Sequence, residues 1–490
     1  MKDMDERYVA AVDLGSSTVR LCVACIRGDE VEVVHYGERV SAGIRTSLVF
    51  NPQLTSSVVG DLVREAELAL MVRISQVVVG LPRKDVVQLT ASMKMERSAS
   101  NEYISLEEIR DLRALALDTY PLPDPGKQGI YGVVAQSFEI DEGMTLRERE
   151  VVGTLSSTLE GRFKVFVGRR QGITALDKIF NGLGIAVSKQ YFLPDAVSRA
   201  VLNDVERNGG VALVDVGGGV TSVSIYQGGI LRHYASIPFG GRAVTGDIEI
   251  ECAIPADLAE KIKVRFGACQ PDKLGGLSEK VLQIRLTDPY MEIPVKYVSE
   301  IVDSRCREIV EAVLYYIEES GFSNSLRSGI VVTGGGAELT NYISLFKDMS
   351  GYKVRKGYPR RLFSSAVGKD VFSTSAAAVT GMVLCAKDDA LLDCATESAQ
   401  PEEAEPETVE VEVTEKTTSP EQDGRLFSPD EFGEKTEKPD SNETKKTTRT
   451  VKVPVTGTTE RTGLLRLVWS TLGETALKVY DFINEGEDRR

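Results

Sequence analysis

Two apolar runs in this chain end in the same kind of turn, 202 positions apart. Residues 8–12 lead into Asp13-Leu14-Gly15-Ser16-Ser17-Thr18 and then into the apolar run 18–26. Residues 211–214 lead into Asp215-Val216-Gly217-Gly218-Gly219-Val220-Thr221 and on to Tyr226, with a further strand-like run at 229–237. Alternating apolar residues broken by small ones read as strands joined by tight turns. A supersecondary unit that occurs twice predicts two related halves around a cleft. Apolar groups at helical spacing over 54–71, and a short apolar run at 77–81 bounded by Gly80 and Pro82, add the strand–helix alternation of an α/β fold.

Short side chains in such turns let backbone N–H groups approach a phosphate. Mg²⁺ keeps most of its waters and takes few carboxylates, so Asp13 and Asp215 suit a metal held through water. Gly334-Gly335-Gly336, after the apolar run 330–333, offers a third loop of close approach. One Asp-x-Gly is equally a plain tight turn, and the glycine triplet is equally a flexible connection. Three such loops, each after an apolar strand, form a more specific pattern.

Between residues 83 and 162 the texture changes. Ser105 and Glu108 form a capping box for a charged helix over 105–119. A Pro/Gly loop at 121–129 and strands at 130–140 and 163–167 follow, as in an inserted subdomain. Residues 298–319 read as an amphipathic helix and 376–386 as a small, apolar closing helix. From 387 to 459 there are 19 acidic and 9 basic residues and few aromatics, so this stretch is predicted to be a disordered linker. In 460–485, Leu465, Val468, Trp469, Leu472, Ala476, Val479, Tyr480 and Ile483 recur at steps of three and four, an apolar stripe along a helix. Such a helix lies in a membrane interface or packs on a protein. The long tether favours the membrane, with binding driven by apolar burial.

The formal net charge of −15 argues against a nucleic-acid binder. Seven scattered cysteines fit a reducing cytoplasm, and Cys22-x-x-Cys25, inside an alternating run, reads as buried thiols. His35 and His233 alone give no basis for a histidine zinc site. No apolar stretch reaches the ~18 residues needed to span a bilayer.

The order DLGSST, DVGGGVT and VVTGGGAEL resembles the two phosphate motifs and the adenosine motif of the actin-like ATPase superfamily. The likeness to the FtsA family is closer and runs over roughly 8–386. It is carried by LRHYASIPFGGRAVTGDIEIECAIPADLAEKIKVRFG (231–267), by VVAQSFEID (133–141) in the insert, and by the acidic tether with its terminal helix. The resemblance implies a two-lobed actin-like (ribonuclease-H-like) α/β fold. Its first lobe would comprise 1–82 and 163–195 with a closing segment at 370–386, and its FtsA-type subdomain 83–162. The second-lobe core would lie at 196–240 and 326–369, and a second-lobe subdomain at 241–325. The linker (387–459) and the membrane-targeting helix (460–485) would follow.

It also implies ATP and Mg²⁺ as cofactors. Asp13 and Asp215 would hold the metal shell, and Gly15, Ser16, Ser17, Gly217, Gly218 and Thr221 the phosphates. Gly334, Gly335 and Gly336 would approach the adenosine, and Glu260 and Lys263 the ribose or adenine. The implied partners are FtsZ through 240–325, further copies of the chain in filaments, other divisome proteins and membrane lipids. The implied place is the cytoplasmic face of the inner membrane at the division site.

Three departures stand out. FLPDAVSR (192–199) occupies the place of a water-orienting residue without a clear counterpart, Asp195 being the candidate, which implies at most slow hydrolysis. Val151-Val152-Gly153 replaces a proline-bearing loop. The terminal helix is longer and less basic than expected. A sugar-kinase-type phosphotransferase, a pilus or secretion assembly ATPase and a chaperone-type ATPase stay open as alternatives. The first lacks a convincing substrate-side aspartate base.

Overall fold

The computed structural model describes residues 6–97, 102–284 and 291–397. Two core sheets are built to one plan. In the first, Glu6–Leu14, Thr18–Arg27 and Glu30–Val40 form an antiparallel meander, and Gln76–Gly80 and then Ala186–Tyr191 add in parallel on the side of Glu6–Leu14. Ser364–Ser365 caps the far edge. In the second, Val211–Val216, Thr221–Gln227 and Ile230–Ile237 form the meander, and Ile330–Thr333 and Val354–Lys356 add in parallel. The duplication read from two Asp-x-Gly turns is thus a duplication of whole sheets.

The central strands are apolar on both faces. Val9–Val12, Val211–Val214 and Ile330–Val332 are all buried, as strands covered by helices on both sides must be. The helix Pro52–Leu70 starts where Asn51 caps the Leu54 N–H and Pro52 supplies a preset first turn. Two helices, Leu193–Val201 and Ala377–Asp388, pack closely: a Cβ on Gly381 would strike the Ala196 carbonyl. They belong to a core that joins residues of the first sheet to Val211, Leu213, Tyr226 and Val331 of the second.

A separate four-stranded antiparallel sheet holds Val87–Glu96, Thr158–Arg169, Gln128–Ile140 and Met144–Leu146. The helix Leu106–Thr119 covers it, burying Ile109, Leu112 and Ala116 against Phe138, Phe163 and Val165. The capping box is formed: Ser105 Oγ accepts from the Glu108 N–H, and Glu108 accepts from the Ser105 N–H. The boundary read at 162 falls inside the strand Thr158–Arg169, whose pairing shifts register between Arg162 and Phe163 and between Phe166 and Val167 but stays in one sheet.

The acidic stretch read as linker from residue 387 starts with ordered chain. The helix runs to Asp388, and Ala395–Glu397 pairs antiparallel with Val72–Ile74. Asp393 accepts the Tyr8 N–H at 2.9 Å, and Cys394 donates its N–H to the Tyr8 carbonyl at 2.9 Å. Cys22 and Cys25 are buried free thiols on opposite faces of a strand. Among the described residues no helix is long and apolar enough to cross a membrane.

The inserted sheet meets the second lobe at a polar seam. Gln88 bonds His233 Nδ1 at 2.8 Å and accepts the Tyr234 N–H at 3.3 Å, while Lys164 donates to the Arg232 carbonyl. Burial, with the Lys164 charge adding, pushes the His233 imidazole down to about 4. The unfolded chain therefore takes up this proton at higher pH than the folded one. The contribution is fully present above about pH 6.5 and is lost as pH falls toward 4. In urea melts between pH 7 and 5, His233→Asn is expected to flatten the stability–pH slope, by at most about 1.4 kcal/mol per pH unit.

Candidate functional site

Parallel strands deliver their chemistry at their C-terminal ends, where the loops have room. Asp13 closes Glu6–Leu14, and Arg83 follows its parallel neighbour Gln76–Gly80. Asp215 closes Val211–Val216, and Gly334 follows its parallel neighbour Ile330–Thr333. All four line one cavity of about 260 Å³.

Of the residues singled out in the sequence, Asp13, Gly15, Ser16, Ser17, Asp215, Gly217, Gly218, Glu260, Lys263, Gly334, Gly335 and Gly336 line this cavity. Thr221 does not. It is fully buried at the start of a strand and donates its hydroxyl to the Phe239 carbonyl at 3.0 Å, so its side chain serves the second lobe's packing. Asp195 is exposed on the helix Leu193–Val201 and lies outside the cavity lining. Leu465, Val468, Trp469, Leu472, Val479, Tyr480 and Ile483, read as membrane-facing, lie outside the described residues.

The loops fit because side chains are missing where they meet. A Cβ on Gly218 would strike Ser17, and one on Gly219 would stand 2.7 Å from Ser16 Oγ. Gly334 has φ +84, and a Cβ there would strike the Asp215 carboxylate, so this turn needs glycine twice over. A Cβ on Gly336 would strike the Val216 side chain. Arg242 closes the approach by donating to the Ser16 carbonyl at 2.9 Å.

Lys263 is buried. It donates to Glu260 at 2.7 Å, to Thr245 Oγ1 at 2.8 Å and to the Gly241 carbonyl at 3.0 Å. The two residues read as flanking a ligand's sugar or base thus form a bonded pair, which fixes the Glu260 carboxylate at the cavity wall.

Sequence reasoning missed several lining residues. Thr374 Oγ1 lies 2.8 Å from both the Gly334 carbonyl and a Glu338 carboxylate oxygen, its one proton shared between the two acceptors, and so holds the third loop. Ser47 sits at φ +63 beside Thr46 at φ +43, backbone conformations that cost non-glycine residues energy. The strain places the Ser47 N–H 2.8 Å from Ser16 Oγ. The sequence reading places Arg83 only at the start of the inserted subdomain. Its guanidinium lies 3.1 Å from the Asp215 carboxylate. Burial, with the Asp13 charge adding, pushes the Asp215 carboxyl above its ordinary range, although Arg83 pulls the other way. The signal was available: Pro82 ends a buried strand, and strand ends are where ligand loops gather.

A family model described as "Cell division protein FtsA" matches residues 212–381. The chain is 28% identical over 378 residues to the "Cell division protein FtsA" of Neisseria meningitidis serogroup B, across 76% of this chain and 89% of that protein. For the protein of the same description in Pseudomonas aeruginosa the identity is 28%, across 75% and 87%. In Borreliella burgdorferi it is 27%, across 78% and 91%. Among solved structures, "PilM-PilN type IV pilus biogenesis complex" matches with a TM-score of 0.54 at 15% identity, covering 77% of this chain and 98% of that one. That likeness is one of fold.

Close packing at the loops sets a test. Gly336→Ala is expected to lower stability by roughly 1–3 kcal/mol through overpacking against Val216. Gly246→Ala, in open space on the helix Gly241–Glu251, is expected to be neutral or stabilising by about 0.5–1 kcal/mol. Urea melts of the two variants read the difference.

Proposed function

We propose that this chain, which is similar to FtsA proteins and has a two-lobed actin-like fold, binds ATP with Mg²⁺ in the interlobe cavity, self-associates, and ties an FtsZ ring to the cytoplasmic membrane during septum formation. One observation carries this reading. Three glycine loops and two buried aspartates, drawn from both lobes, line a single cavity in a chain that aligns with FtsA proteins over three quarters of its length.

The residues fit a nucleoside polyphosphate. The loops carry no side chain at Gly15, Gly217, Gly218 or Gly334–Gly336, so their backbone N–H groups can come close to phosphate oxygens. Asp13 and Asp215 offer carboxylates to a hydrated Mg²⁺, which when bound would offset phosphate charge. The Lys263–Glu260 pair and Gly334–Gly336 would meet the nucleoside side. With Asp195 outside the cavity lining, the site favours binding as a switch over rapid turnover: nucleotide that prefers one lobe arrangement shifts the population toward it.

Two measurements test the reading. ATP binding by calorimetry is expected for the full chain in Mg²⁺ and is expected to weaken by at least about tenfold in Asp13→Ala, which removes a metal-side carboxylate. Co-sedimentation with anionic vesicles is expected for the full chain and not for a truncation ending at Thr459, with ATP–Mg²⁺ raising the pelleted fraction through avidity. Equal behaviour of the two chains on vesicles would remove the membrane role. A turnover rate like that of a metabolic kinase would remove the switch.

A further inference from the structure

We propose that Arg83 is a built-in phosphate-binding cation of the cleft, held at Asp215 and shared with the polyphosphate when nucleotide binds. The inference rests on the nucleotide-binding reading above and adds a residue and a consequence to it. The consequence is that binding survives, weakened, without a divalent metal.

The placement of Arg83 is built from both sides of the cleft. Its N–H donates to Ser47 Oγ at 3.0 Å, and Ser47 in turn donates its own N–H to Ser16 Oγ in the first phosphate loop. Its carbonyl accepts the Tyr234 hydroxyl at 2.9 Å, from the second lobe. Tyr234 is itself fixed in an aromatic cluster, with ring centroids 5.3 Å from Phe192 and 6.3 Å from Phe166. With the backbone pinned at both ends, the side chain reaches the cavity floor. One guanidinium nitrogen lies 3.1 Å from Asp215 Oδ2, and the other would stand 3.7 Å from a Cβ on Gly217, against the second phosphate loop.

The charges explain why a guanidinium is kept there. Arg83 and Asp215 side chains are only 11% and 9% exposed, and burying an arginine is costly unless anions repay it. Asp13 and Asp215 together bring two negative charges to the floor that a polyphosphate must approach. Of the other cations in the lining, Lys263 is engaged by Glu260 and Arg20 pairs with Glu38 at 3.2 Å. The Arg83 fork has five donors, of which one meets Asp215 at ion-pair distance, and a planar fork suits phosphate oxygens. With Lys263 and Arg20 each held by a glutamate, loss of Arg83 would leave a divalent cation as the main neutralising charge for the nucleotide.

The test is a titration of the full chain with a fluorescent ATP analogue, once in Mg²⁺ and once in EDTA, for wild type, Arg83→Gln and Arg83→Lys. In wild type, EDTA is expected to weaken binding about tenfold or less. In Arg83→Gln the same change is expected to weaken it at least about 100-fold, the scale set by losing a charge-assisted hydrogen bond. Arg83→Lys, which keeps the charge without the fork, is expected to fall between them. An equal EDTA-to-Mg²⁺ ratio in wild type and Arg83→Gln overturns the proposal. If Arg83→Gln does not fold, the wild type decides alone, since binding in Mg²⁺ with none measurable in EDTA also overturns it. Absence of binding by wild type under both conditions removes the nucleotide reading itself and this inference with it.

Discussion

Two buried aspartates from different lobes share one cavity, and the chain must keep them there without paying the full repulsion of like charges in a poorly hydrated site. The ion pair between Arg83 and Asp215 is its answer. That pair needs Arg83 at the end of one parallel strand and Asp215 at the end of another, so both sheets must be in register with the cleft. It also needs the loops to touch, and they touch because Gly218 presents no side chain to Ser17 and Gly219 none to Ser16. Electrostatics and close packing thus impose the same geometry.

The lobes are not separate bodies joined at a hinge of loop alone. The helices Leu193–Val201 and Ala377–Asp388 are packed so closely that Gly381 cannot carry a methyl group without striking Ala196. The first lobe's core also draws in Val211, Leu213 and Val331 from the second sheet. Packing of this kind favours small sliding of helices over a free hinge when the cleft changes.

Much of this was legible in the sequence because it depended on local rules. Asp-x-Gly after an alternating run gave the two hairpins, Ser105 with Glu108 gave the insert's helix start, and three-and-four spacing gave the helix Val295–Glu319. What was missed depended on tertiary encounter. Arg83 and Ser47 matter through contacts with Asp215 and Ser16, far away in sequence, and nothing in their own neighbourhoods fixes that. Thr221 failed for a related reason: the motif placed it beside the phosphates, but strand alternation turned its hydroxyl toward Phe239. The start of the acidic segment was misread because composition says nothing about three residues that find an open strand at Val72–Ile74.

That short pairing has a mechanical side. Residues beyond 397 continue from a strand held by Val72–Ile74 and, just before it, by Asp393 and Cys394 on Tyr8. A pull on the C-terminal continuation is borne first by those few hydrogen bonds and then by the strand Glu6–Leu14, which has Tyr8 near one end and Asp13 near the other. The strand Glu6–Leu14 therefore links the attachment point of the C-terminal segment, at Tyr8, to the cleft floor, at Asp13.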